Sequence, residues 1–174
     1  MDSHTSIPAP DPAVFVGLVP VEHDELQGGE PDGLAGSLGL QMVYMALGER
    51  GVCETGQNGG IPLQRYVRAF WPQSGPQPWC AFFVSWCYLR TGNRRPPWAN
   101  PGLVSSVRTW ARSAGMLHSR PKQGDMFGTG STHMGLVRGV NNNGTFVTLE
   151  GNTSTGCVTG FVRSASTCWF ATPR

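Results

Sequence analysis

Cys80 stands in the stretch PWCAFFVSWC, residues 78–87, where an apolar run opens directly after a proline and a tryptophan. Further along come His133, heading a run rich in Val and Leu, and then Glu150 and Asn152. A thiol, an imidazole, and an acid or amide to orient the ring are the parts of a cysteine nucleophile. In such a set the thiolate attacks a carbonyl carbon and the imidazole carries the proton. The third group holds the ring in one tautomer.

Such chemistry needs elements that bring the residues together. From Cys80 to Arg90 apolar or small residues occur on every side (Ala81, Phe82, Phe83, Val84, Trp86, Cys87, Leu89), which predicts a buried helix. Pro78 suits the approach to a helix rather than its interior, and Gly92 with Asn93 is a stop signal. Cys80 then falls in the first turn, where unpaired N–H groups and the helix dipole favour an anion. Cys87, two turns deeper on the same face, is expected to be core packing. The Cys80 N–H is a candidate oxyanion donor, and Gln77 a candidate second one or simply a polar loop residue.

Residues 133–152 read HMGLVRGVNNNGTFVTLEGN, two β-prone runs around an Asn-Gly turn, which predicts a hairpin. Glu150 and Asn152 share one face of the second strand, since side chains alternate. An even-length loop near Asn142–Gly144 pairs His133 with an even-numbered residue and brings it to Asn152 or Glu150. A three-residue loop would put them on opposite faces.

Four blocks, taken together, resemble the CHAP family of cysteine, histidine-dependent amidohydrolases/peptidases, relatives of the NlpC/P60 and papain-like enzymes. They are GERGVCETGQNGGIPLQRYV at 48–67, PWCAFFVSWC at 78–87, GDM at 124–126, and HMGLVRGV with TLEGNTS within 133–154. The resemblance spans about residues 37–174 and implies an α+β, papain-like fold, its nucleophile helix packed against a small antiparallel β-sheet. It also implies Cys80 as nucleophile, His133 as base, and Glu150 or Asn152 as the group orienting the ring. The implied substrate is peptidoglycan, cut at an amide bond by an N-acetylmuramoyl-L-alanine amidase or an endopeptidase of lysin type. The Cys80 block and the Glu-Gly-Asn exit favour CHAP over NlpC/P60. The alternative from another class is a non-catalytic wall-binding or phage-tail structural protein on the same scaffold. An antibacterial toxin would share the chemistry and differ in delivery.

A chain of 174 residues is one domain with room for a real core, and a net charge of +2 without a basic stripe gives no argument for nucleic acid. No metal or other cofactor is expected: Glu54 and Asn58 are read as loop polarity rather than as a cleft or metal site. Five cysteines leave at least one unpaired. Cys157 and Cys168 are either free thiols or a bridge across a hairpin, and a disulfide-poor chain fits a reducing compartment. No run of 18 apolar residues spans a membrane, and the first residues lack signal-peptide features. Action at the wall then requires release by lysis, a phage particle or dedicated secretion, and a targeting or delivery partner could supply wall affinity.

Residues 1–36, rich in Pro, Gly, Asp and Glu, are expected to be a flexible arm ahead of the catalytic domain at 37–174. Helices are predicted over Leu38–Arg50, with Leu40, Val43, Tyr44 and Leu47 buried, and over Ile61–Phe70. Another is predicted from Pro101, capped by Asn100, to Gly115, burying Val104, Val107, Trp110 and Ala111. Short strands are expected from Gly124 onward.

Overall fold

The computed structural model describes residues 37–92 and 94–174. The arm expected at 1–36, and Asn93 of the helix stop, lie outside the described residues. Among the described residues three α-helices precede most of the sheet: α1 (Leu38–Gly48), α2 (Cys80–Gly92) and α3 (Val104–Ser113). The strands are β1 (Leu117–His118), β2 (Met126–Thr129), β3 (His133–Val140), β4 (Thr145–Leu149), β5 (Val162–Ser164) and β6 (Cys168–Ala171). They form one antiparallel sheet in the order β1-β6-β2-β3-β4-β5. This is the α+β arrangement expected, with α2 lying against the sheet.

The apolar run of α2 is buried almost throughout its first nine residues, Trp86 being half-exposed. It packs with α1 and with Met126, Met134, Leu136 and Leu149 from one face of the sheet into the main core. Because side chains alternate, Phe127, Val137, Phe146 and Phe170 point the other way and form a second, smaller cluster. His133, Thr148 and Glu150 follow the parity of this second cluster. The site therefore lies where the start of α2 reaches round to residues of the opposite face.

The β3–β4 hairpin departs from its expected register in an instructive way. Asn141 N–H donates to the Thr145 carbonyl, so the loop Asn142–Gly144 has three residues and Val140 pairs with Phe146. Continued unbroken, that register would place His133 and Glu150 on opposite faces. A β-bulge between Val137 and Gly139 inserts one residue and restores the parity, so that Val137 pairs with Thr148 and Leu136 with Leu149. The next step sets Gly135 beside Glu150, whose Cγ lies only 2.8 Å from where a Gly135 Cβ would stand. The missing side chain leaves Glu150 free to reach diagonally to His133.

Helix α1 forms where expected but turned on its axis. Gly39, Met42, Val43 and Ala46 are buried, while Leu40 and Tyr44 of the expected stripe are 39% and 51% exposed. The cause is Gly39, where a Cβ would lie 2.1 Å from the Gly124 carbonyl oxygen. Two glycine backbones touch there, and Gly124 has a left-handed φ of 89°. The GDM element is thus a docking point for α1, and the adjacent Asp125 is a buried acceptor for Lys122 N–H and Thr172 Oγ1–H.

The helix expected over 61–70 is shorter and contains a π-turn, Leu63–Val67. Helix α3 starts at Val104 rather than Pro101, because Asn100 Oδ1 accepts from Gly102 N–H in a turn ahead of the helix. Its buried face is the expected one, with Trp110 half-buried.

The Cys157–Cys168 bridge does not form. Strand β5 lies beyond β4 at one edge, whereas Cys168 opens β6 and pairs with Thr129 on the other side of β2 and β3. Cys157 instead bonds Cys53, 104 residues away in sequence, within an isolated antiparallel bridge. Cys80, Cys87 and Cys168 are free. The inference of a reducing compartment from a disulfide-poor chain loses its premise.

Candidate active site

Cys80 is the first residue of α2, so its backbone N–H is one of the four at a helix start that have no intrahelical partner. Trp79, fully buried, sets the position of that start. Its indole N–H donates to Glu54 Oε2 at 2.9 Å, and a Cβ at Gly151 would lie 2.4 Å from its ring. Only glycine permits so close an approach of the β4 exit to the helix. Glu54, expected to be loop polarity, thus acts as a hydrogen-bond post for the residue before Cys80. The Cys80 Sγ lies 3.9 Å from the Thr132 carbonyl, adjacent to His133.

His133 Nε2 is 2.6 Å from Glu150 Oε2. With Nε2 so engaged, Nδ1 is the ring nitrogen left for the thiol. Burial alone would push the imidazole pKa down. Hydrogen bonds to Cys80 and Glu150, with their electrostatic pull on the ring, outweigh burial and raise it to about 9.

Glu150 has no exposed surface. Burial would raise its pKa, but hydrogen bonds from Arg163, His133 and Thr148 hold it at about 2. Arg163 grips it through two bonds, Nε to Oε1 and Nη2 to Oε2, each 2.5 Å, and Thr148 Oγ1–H donates to Oε1 at 2.5 Å.

The structure therefore brings Cys80, His133 and Glu150 together, and the bond to the imidazole comes from Glu150. Asn152 follows, half-buried and left-handed at φ 56°, as the strand ends. Gln77 is half-buried in the approach to α2. Arg163 and Thr148 were not singled out from sequence. The available signal was physical: a carboxylate inside an apolar strand needs a cation, and Arg163 lies on β5, which pairs with β4. Cys87 is fully buried, and burial with the nearby Glu49 charge pushes its thiol pKa well up. Among the described residues no group of three or more His, Cys, Asp or Glu is placed to hold a metal ion, and no helix is long and apolar enough to cross a membrane.

A cysteine at the start of a buried helix, set against an antiparallel sheet that carries a histidine and its carboxylate, is the papain-like arrangement. Within that class, residues 72–152 match the model of the CHAP domain family. The family is one of hydrolases, amidases or peptidases of peptidoglycan, and that is the general activity the match implies. No curated protein matches the chain.

Proposed function

We propose that this protein is a peptidoglycan hydrolase that cuts an amide bond through Cys80, with residues 37–174 as its catalytic domain. The observation that carries the reading is the relay from Glu150 through His133 to Cys80, at the start of a buried helix inside the matched segment. The Cys80 thiolate attacks the carbonyl carbon, forming a C–S bond. His133, protonated up to about pH 9, gives its proton to the departing amine nitrogen as the C–N bond breaks. Water then enters, losing a proton to the neutral His133, and the thioester C–S bond breaks to return the thiolate and release the carboxylic acid. Glu150 holds the ring with Nε2 protonated throughout. The Cys80 N–H, with Gln77 as a second donor, faces the oxyanion that forms in each step. Asn152 borders the site.

The protein acts at the bacterial wall, as a lysin does, and either the muramoyl–alanine amide or a stem-peptide bond is cut. Clearing of purified peptidoglycan by wild type and by Cys80→Ala, with mass spectrometry of released fragments, tests this. Clearing by wild type alone supports a cysteine hydrolase, and fragment masses name the bond. Equal clearing by both proteins, or by neither on several wall types, overturns the reading in favour of a binding or structural role.

A further inference from the structure

Glu150 is held by more bonds than the orientation of one imidazole requires. Its Oε1 accepts from Thr148 Oγ1–H and Arg163 Nε–H, and its Oε2 from Arg163 Nη2–H as well as His133. The guanidinium carbon of Arg163 lies 5.5 Å from the Phe161 ring centre and 5.9 Å from that of Phe127. Arg163 stands opposite Phe146 on β5, outside the matched segment, and reaches along the face that Phe146, Thr148 and Glu150 share.

We propose that Arg163 is a positioning residue for hydrolysis, keeping Glu150 ionised and fixed while His133 gains and loses its proton. The inference rests on the roles of Cys80 and His133 proposed above. In each turnover the imidazole becomes neutral once the leaving amine has taken its proton. A fully buried carboxylate facing a neutral ring has then lost one countercharge. Burial of an unpaired charge is costly, and such a group relieves the cost by binding a proton. Without a second cation, Glu150 would compete with the amine for the proton that His133 must deliver.

The titratable and charged groups facing Glu150 are His133 from β3, Arg163 from β5 and Cys168 from β6, with Cys80 of α2 behind the imidazole. Among these described residues Arg163 alone keeps a positive charge through the cycle, since a guanidinium does not deprotonate in proteins. Its planar fork fixes the rotation of the carboxylate as well as its charge, which a point charge on a flexible stem does not. Cation–π contact with the Phe161 and Phe127 rings limits the rotation of the fork itself.

The test uses Arg163→Met and Arg163→Lys in the full chain, with kcat and KM on purified peptidoglycan. It is accompanied by NMR titration of ¹³C-labelled glutamate carboxyls and by thermal unfolding to verify the fold. For R163M, kcat should fall about 10–100-fold, the range typical when a group that orients a site residue is removed. KM should be unchanged, and the Glu150 carboxyl should titrate at a higher pH than in wild type. R163K should keep the low carboxyl titration through its charge, while kcat recovers only in part for want of the fork. Folded R163M with wild-type kcat, or with lower kcat but an unmoved Glu150 titration, overturns the proposal. If R163M does not fold at assay temperature, R163K decides, and a full wild-type kcat there overturns the role of the fork. Cys80→Ala in the same assay separates the two readings. If it still hydrolyses, the nucleophile assignment fails; if it is inactive while R163M is fully active, the role of Arg163 alone fails.

Discussion

Glu49 and Glu150 are both buried carboxylates held by an arginine, yet their surroundings lead to opposite consequences. Glu49 accepts from Arg65 at 2.5 Å and from the Tyr66 hydroxyl at 2.7 Å. Tyr66 in turn packs against Trp79, Phe83 and Trp86, so the cluster fastens the π-turn to the flank of α2. Burial, followed by the bond and charge of Glu49, pushes the phenol pKa far up, so Tyr66 stays protonated and the network is static. At Glu150 the corresponding donor is an imidazole held at about 9, a group that can exchange protons. The two cysteines on one face of α2 repeat the contrast. Cys87 sits near the Glu49 charge and has no exposed surface, and Cys80 sits beside His133. A carboxylate and a buried thiol do not make a reactive site. A neighbour able to change its charge, at the end of a strand, does.

The largest effect should come from exchanging the charges of the two carboxylates. Glu150→Gln replaces the charged acceptor that fixes His133 with a neutral amide and should lower kcat by about 10²–10⁴-fold, the span that general acid–base groups contribute. Glu49→Gln should leave kcat unchanged and lower unfolding stability by about 1–3 kcal/mol, the cost of weakened hydrogen bonds to a charged group. Steady-state kinetics and denaturant unfolding on the same samples check the pair, and comparable loss of kcat in both variants would erase the distinction.

The Cys53–Cys157 bridge ties the loop carrying Glu54 to the segment after Asn152. Closing a loop of this length, with a sequence separation of 104, corresponds to about 4–5 kcal/mol of chain entropy in the unfolded state. Cys53→Ser with Cys157→Ser should lower the unfolding free energy towards that amount, measured in denaturant without reductant. A change near zero would mean that the loops are held by their backbone bonds, such as Glu54 N–H to the Gly156 carbonyl at 2.8 Å.

Cys87→Ala should cost about 1–3 kcal/mol through the cavity left, with hydrolysis retained at low temperature. Loss of activity in a folded C87A protein equal to that of C80A would sink the division between the two thiols.

The remaining effect is on pH dependence, and its sign follows from the two shifts. Glu150, lowered to about 2 from an ordinary 4.5, adds stability above pH 4.5 that is lost as pH falls towards 2. His133, raised from 6.5 to about 9, adds stability below pH 6.5 that is lost as pH rises towards 9. Thermal unfolding against pH should show a maximum between these limits, flattened on the acid side in Glu150→Gln. Stability rising from pH 6.5 to 9 in wild type would contradict the His133–Glu150 pair.

Local pattern was enough to read α2, with Cys80 in its first turn, and the α3 buried stripe, because apolar periodicity and a proline act within a few residues. The resemblance carried by the four sequence blocks was likewise enough for the α+β class. His133 and Glu150 could be named as strand residues, but not their meeting, since a single inserted residue at the Val137–Gly139 bulge reverses the face of everything beyond it. The rotation of α1 depends on a contact between Gly39 and Gly124, and the true partner of Cys157 on a bridge spanning most of the domain. Arg163 reaches Glu150 only because β5 returns to pair with β4. Residue type and short-range spacing thus determine which groups can do chemistry and which elements carry them. Register, close backbone approach and long-range pairing decide which groups touch, because those energies arise between segments far apart in sequence.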